Sequence, residues 1–184
     1  DLRDYSADRK HKKVDDRPYG GGPGMVMQVE PLYRTLKKLC PRKTKSTKAF
    51  LLAAGGEAFT QKQARLLAAS AKRIVLLCGR YEGVDHRIQK YIDDELSIGR
   101  YVLTGGELPA LVVIDAITRL LPGVLGKDES SIDESWSDGE TTEYPQYTRP
   151  EIFRGERVPS ILLSGDHQRI AVWRKQHRKL RKHP

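Results

Sequence analysis

Apolar residues along this chain fall into short runs of four to six, separated by glycine, proline and clusters of charge. That is the pattern of strands alternating with helices. Residues 1–29 are rich in charge and then in glycine. Gly20-Gly21-Gly22-Pro23-Gly24 cannot hold regular structure, so an irregular segment, either mobile or shaped by a ligand, is expected there. Pro31 suits a first helical turn and predicts a helix to about Leu39, ended by Pro41 and the polar string 42–48. Residues 49–53 read as a buried strand, Gly55-Gly56 as a turn, residues 61–71 as a helix and residues 74–78 as a second strand. Together they make a β-loop-α-β unit, the mark of a parallel sheet with flanking helices. A short helix at 86–91 and a strand at 95–98 follow. Residues 109–121 carry apolar side chains on more than one face, which predicts a largely buried helix before Pro122-Gly123 stops it. The chain then reads as loop to residue 159, with Ile161-Leu162-Leu163 as a late strand and a helix from about Asp166, where His167 is a candidate cap.

Two tight turns interrupt this pattern. One is Cys78-Gly79-Arg80-Tyr81-Glu82-Gly83, at the end of an apolar strand. The other runs from Ile98 to Pro109 through Gly99, Thr104, Gly105 and Gly106. Glycine lets backbone approach a ligand closely or adopt φ > 0, so both turns are candidate binding loops. The glycines at 20, 22 and 24 do not form a dinucleotide fingerprint, because position 25 is Met and no strand precedes them. No Walker-type phosphate loop is present.

The charge balance adds a partner class. Among 184 residues, 33 Lys and Arg against 24 Asp and Glu leave a formal net charge of +9, which points to a polyanion. The basic residues crowd toward the ends, at 9–13 and 174–182, whereas residues 128–148 hold seven acids and no Lys or Arg. Cys40 and Cys78 offer no disulfide framework and no metal-ligand spacing, and Cys78 reads as a small buried hydrophobe. No apolar stretch approaches the roughly 18 residues of a membrane span, and the start has no signal-peptide pattern, so a reduced cytoplasmic setting is expected.

Four segments carry a family resemblance. They are residues 14–25, containing Arg17-Pro18-Tyr19-Gly20-Gly21-Gly22-Pro23-Gly24-Met25; the Cys78 to Asp85 turn; residues 97–109; and Tyr147-Thr148-Arg149-Pro150-Glu151. In this order and spacing the chain resembles, over nearly its whole length, the bacterial tRNA (guanine-N1)-methyltransferases of the TrmD family, which belong to the SPOUT class. The resemblance implies an α/β fold whose parallel sheet carries a deep trefoil knot, against the general rule of unknotted connections. It also implies a catalytic domain over residues 1–160, with 161–184 ending it and leading into a basic helical tRNA-binding domain. Family members carry a strand and helix ahead of the equivalent of Asp1 and continue past Pro184, so the chain is expected to be a piece of such a protein.

The activity so implied is methyl transfer from S-adenosylmethionine to guanosine N1 beside the tRNA anticodon, at position 37. The acceptor needs a carboxylate base near N1 and a cationic donor near O6, where charge develops. Arg119 matches the family's catalytic arginine; without that match it reads as an i, i+4 partner of Asp115. The base is a departure from the family, which usually places aspartate before serine and an aromatic or histidine. Here Asp133-Glu134-Ser135-Trp136 stands there, so counting from Arg119 selects Glu134, and Asp133 takes the role if the register slips by one.

Gly79 and the run Ile98, Gly99, Arg100, Tyr101, Val102 and Leu103 match the family's cofactor-binding positions, with Leu52, Gly105, Gly106 and Pro109 in the same pocket. Tyr81 and Glu82 are placed to meet the methionine moiety or the incoming base. A second departure is Ala53-Ala54-Gly55-Gly56, where family members often have Ser-Pro. On the RNA side, Asp15, Asp16 and Tyr19 lie in the family's conspicuous loop, and Lys12, Lys13, Arg149 and Arg154 are candidates for phosphate contacts. No metal ligands are assigned, although an acidic site handling RNA is compatible with Mg²⁺. A homodimer with active sites shared between subunits is expected by resemblance alone. Two alternatives stay open at this point: another SPOUT RNA methyltransferase, and a noncatalytic basic RNA-binding module.

Overall fold

The computed structural model describes residues 1–41, 44–124, 135–136 and 141–180. The chain divides into two compact units, Asp1–Val124 and Leu125–Pro184.

The first unit is built on a three-stranded parallel sheet. Its strands are β3 (Thr47–Ala58), β4 (Arg73–Cys78) and β5 (Asp94–Ser97), and β3 lies in the middle. Ahead of them come a 3₁₀ turn at Leu2–Tyr5, a two-residue antiparallel pair of β1 (Asp15–Asp16) with β2 (Val26–Met27), and helix α1 (Val29–Leu39). Successive side chains of a strand face opposite sides of the sheet, and the apolar run of β3 therefore serves two cores. Ala49 and Leu51 join Leu32 and Leu36 of α1, Met27, Leu77 and the fully buried Ile88. Phe50 and Leu52 join Ala64 and Leu67 of α2 (Gln61–Ser70) with Val113 and Ile117 of α3 (Glu107–Thr118). The sheet thus lies between helical layers, as the β-loop-α-β reading predicts.

Local chemistry sets the helix ends. Thr60 and Gln63 form a reciprocal capping box at the start of α2: the Thr60 hydroxyl accepts from the Gln63 N–H at 3.3 Å, and the Gln63 side chain accepts from the Thr60 N–H at 3.1 Å. Helix α1 begins at Val29, two residues before the predicted start. Pro31 fits there because the first-turn N–H groups have no intrahelical partner to lose. Helix α3 likewise starts two residues early, at Glu107, and α-helical structure ends at Thr118.

Other expectations are corrected. Gly55-Gly56 is not a turn between β3 and α2 but part of β3, which stays extended through Ala58. The pairing with β5 shifts between Leu52 and Glu57, so the extra residues are absorbed as an irregularity. A Cβ on Gly56 would lie 2.7 Å from the Glu95 carbonyl carbon, a backbone approach that only glycine allows. Residues 1–29 are also not wholly irregular, given the 3₁₀ turn and the β1–β2 pair.

The second unit contains two more corrections. Ile161-Leu162-Leu163 is not a strand but most of a short helix, α4 (Ser160–Leu163). A three-residue apolar run has no period to separate helix from strand, and Pro159 just before it suits a helix start. Helix α5 (His167–Gln176) follows, capped by Asp166, whose carboxylate accepts from the Arg169 N–H at 3.0 Å; His167 is its first residue and not its cap. Two-residue pairs complete the unit: β6 (Thr141–Thr142) with β9 (Lys179–Leu180), and β7 (Ile152–Phe153) with β8 (Glu156–Arg157). Trp173 of α5 stacks on His177 at 4.0 Å between ring centroids, with Tyr144 and Tyr147 at 6.5 and 6.4 Å. Among the described residues no helix is long and apolar enough to cross a membrane.

Candidate active site

All three strands of the sheet run the same way, so their carboxyl ends meet on one edge, where open α/β sheets bind ligands. A cavity of about 340 Å³ opens there, within the usual range of small-molecule sites. The distal half of β3 supplies Ala53 and Ala54, the turn after β4 supplies Gly79 to Val84, and the turn after β5 supplies Ile98, Gly99 and Tyr101 to Gly106. Leu51, Leu52, Ile88 and Leu96 form an apolar floor.

Backbone contacts join the two glycine turns. The Gly106 N–H donates to the Gly79 carbonyl at 3.0 Å, and Arg80 pairs with Gly105 in an isolated antiparallel bridge. A Cβ on Gly106 would sit 2.6 Å from the Cys78 Cα, so the junction closes only with glycine at that position. A side-chain tie reinforces it, with Arg80 Nε donating to Glu107 Oε1 at 2.9 Å. Tyr81, at the turn's crest, takes a left-handed φ of 59° and is 65% exposed. Such a conformation costs a non-glycine residue about 1–3 kcal/mol and concentrates at ligand clamps.

The glycine-rich segment before β2 is docked on the same turn from outside. The Met27 N–H donates to the Gly83 carbonyl at 2.9 Å, the Glu82 N–H to the Met25 carbonyl at 3.1 Å, and the Asp85 N–H to the Met27 carbonyl at 2.9 Å. Gly24, at φ 83°, lies where a Cβ would meet the Glu82 side chain at 2.5 Å. Asp85 anchors the turn's far end. Its carboxylate accepts from the Arg87 N–H at 3.0 Å and pairs with the Arg87 guanidinium at 2.6 Å. The Arg87 hydrogen bonds hold the Asp85 carboxyl below the usual carboxylate range, and Asp85 in turn raises the Arg87 guanidinium. Burial pushes the Cys78 thiol up, which suits a protonated, half-buried packing group.

Of the sequence-derived pocket residues, Leu52, Gly79, Glu82, Ile98, Gly99, Tyr101, Val102, Leu103, Gly105, Gly106 and Pro109 line this one cavity, whereas Arg100 is exposed and does not. Sequence reading missed Arg80, His86, Gln89, Glu95, Ser97 and Thr104, which line it too. His86 and Gln89 arrive from the 3₁₀ segment His86–Tyr91, where no glycine marks a binding loop. Arg119 stands as the C-cap of α3, its N–H donating to the Asp115 carbonyl at 3.1 Å. Asp133 and Glu134 lie outside the described residues. Their neighbours are tied within the second unit, where the Ser135 N–H donates to Glu143 Oε1 at 3.3 Å and the Trp136 N–H to the Thr141 carbonyl at 2.7 Å.

The RNA-side candidates divide between the units. In the first, Asp15 and Asp16 form β1 and Tyr19 is fully exposed. Lys12 Nζ donates to Asp4 at 3.0 Å and holds that carboxyl below its ordinary range, and Lys13 is exposed. In the second unit Arg149 is exposed, and Arg154 lies over the Phe153 ring at 5.5 Å. Among the described residues, no three His, Cys, Asp or Glu side chains gather in a metal-holding arrangement.

This cavity, edged by two glycine turns, occurs in a chain that matches one protein family throughout. The family described as tRNA (Guanine-1)-methyltransferase TrmD matches residues 1–183. The chain belongs to the TrmD family. Curated relatives agree. A protein of Caldanaerobacter subterraneus subsp. tengcongensis named tRNA (guanine-N(1)-)-methyltransferase is 54% identical over 175 residues, covering 95% of this chain and 70% of the relative. Proteins of the same name from Halalkalibacterium halodurans and Myxococcus xanthus are 53% and 51% identical, each with the same coverage. TrmD membership removes the noncatalytic RNA-binding alternative as the reading of the whole chain.

Proposed function

We propose that this chain catalyses transfer of a methyl group from S-adenosylmethionine to N1 of the guanosine at position 37 of tRNA, beside the anticodon. One observation carries the reading: the cavity at the strand ends is walled by the two glycine turns in which this chain resembles TrmD proteins, Gly79–Gly83 and Ile98–Gly106. The cavity suits the cofactor. Leu52 and Leu96 offer an apolar surface for adenine, the turns offer main-chain donors and acceptors for its edge and the ribose, and Glu82 and Glu95 offer negative charge toward a cation. Bound there, S-adenosylmethionine supplies an electrophilic methyl group on a sulfonium.

The protein's part is to align and deprotonate the acceptor. Loss of the guanine N1 proton leaves negative charge that spreads to O6, and the Arg119 guanidinium, always protonated, stabilises it there. Glu134 takes the proton, or Asp133 if the loop is one residue out of register. Asp15, Asp16 and Tyr19 face the target base or its neighbour, and Lys12, Lys13, Arg149 and Arg154 take phosphates. A homodimer belongs to the same reading, with the acidic segment around Glu134 crossing into the partner's pocket, as does the trefoil threading of the sheet. So do a cytoplasmic setting and a basic helical tRNA-binding domain into which residues 161–184, the end of the catalytic domain, lead.

The test is calorimetric titration with S-adenosylmethionine, followed by single-turnover methylation of tRNA transcripts with and without Mg²⁺. Transfer to N1 of guanosine 37 is expected, and no transfer when that base is adenosine. Cofactor binding with methylation at another base would favour a different SPOUT specificity.

A further inference from the structure

The cavity wall is unevenly charged. Glu82 and Glu95 contribute carboxylates, and Arg80 contributes a guanidinium. On the cofactor reading above, which this inference takes as its basis, the methyl donor carries a positive sulfonium, whereas its product, S-adenosylhomocysteine, has a neutral thioether in that place. An unopposed guanidinium on the wall would repel the donor and leave the product almost untouched.

Glu107 stands in the first turn of α3, outside the cavity lining, and its Oε1 accepts from Arg80 Nε at 2.9 Å. Gly105 makes room for the pair: a Cβ there would lie 2.5 Å from Glu107 Oε2 and 3.0 Å from Arg80 Nε. Both partners are 52% exposed, so the pair adds little to stability. Its position at the rim matters more than its strength. Glu95 accepts from Gln89 Nε2 at 2.8 Å.

We infer that Glu107 is a positioning residue that cancels the Arg80 charge at the cavity rim, so that the cavity favours the cationic methyl donor over its neutral thioether product.

The measurement is calorimetric titration of the whole chain with S-adenosylmethionine and, separately, with S-adenosylhomocysteine. The quantity read is the ratio of the two dissociation constants. Glu107→Gln keeps an acceptor for Arg80 but removes the charge. It should shift the ratio against the donor by about three- to fivefold, the effect of a unit charge several ångströms away across a partly hydrated wall. The shift should shrink as salt is raised. Arg80→Gln leaves Glu107 unopposed and should move the ratio the other way, a readout that survives if Glu107→Gln fails to fold. The double variant should return it to the wild-type value. A support for the fold alone would lower both affinities together, so an unchanged ratio in both single variants overturns the inference. A shift in Glu107→Gln that persists in the double variant overturns the assignment to Arg80. Failure of the wild-type chain to bind either molecule instead removes the cofactor reading beneath it.

Discussion

Gly106 and Cys78 meet backbone to backbone: a Cβ on Gly106 would lie 2.6 Å from the Cys78 Cα and 3.1 Å from the Gly79 nitrogen. Neither neighbour is a flexible side-chain end, so Gly106→Ala must part the two turns that wall the cavity. Overpacking of this kind costs about 1–3 kcal/mol. The variant should melt lower and bind S-adenosylmethionine at least tenfold more weakly by calorimetry. The nearest atoms to a Cβ in Gly105→Ala belong to the Arg80 and Glu107 side chains, which can swing aside, so it should be milder on both measures. Equal effects of the two substitutions would argue against the close approach.

Arg119→Ala should lower the single-turnover methylation rate by about 10²-fold or more while cofactor affinity stays within about twofold, since its work lies in the transition state. Loss of cofactor binding in parallel would place it in the pocket wall instead.

Glu134→Gln should cut the methylation rate by about 10²-fold, Asp133→Asn should be much milder, and Glu134→Asp should keep substantial activity because the carboxylate survives. A larger loss for Asp133→Asn reverses the assignment. Mixing Arg119→Ala with Glu134→Ala chains tests the dimer: each confirmed heterodimer should regain one working site if the subunits share residues.

Asp85 makes an acid-side prediction. Its folded pKa is depressed, chiefly by the hydrogen bonds from Arg87, so its contribution is full above the ordinary carboxylate value of 3.8 and fades as pH falls through the lowered one. Asp85→Asn should remove that part of the acid-side slope in melting temperature. It should also loosen the His86–Tyr91 segment that brings His86 and Gln89 to the cavity, weakening cofactor affinity at neutral pH.

Much of the first unit is legible in the residues. The β3–α2–β4 unit follows from two apolar runs around the helix expected at 61–71, and both glycine turns announce themselves. What escapes is long-range. Gly56 looks like a turn residue until β5 is laid against it, when its missing side chain is seen to admit the Glu95 backbone. Arg80 and Glu107 are 27 positions apart, and no local pattern pairs them. Ile161-Leu162-Leu163 failed for the opposite reason, since three apolar residues are too few to display a period. The candidate pocket was readable because glycine marks backbone approach. His86 and Gln89 bear no such mark.

The arch from Gly20 to Gly24 is fastened at both feet and bare at the crown. Asp15–Asp16 pairs with Val26–Met27 below it, Met25 and Met27 bond to the Glu82–Asp85 turn, and a Cβ on Gly20, Gly21 or Gly22 would meet nothing within 4 Å. A protease would find its entry there, yet the two cut ends would remain held by the pairing beneath. The nicked protein should migrate intact in native gels and separate only in denaturant. If tRNA lies over the crown, its binding would hide the bond from cleavage.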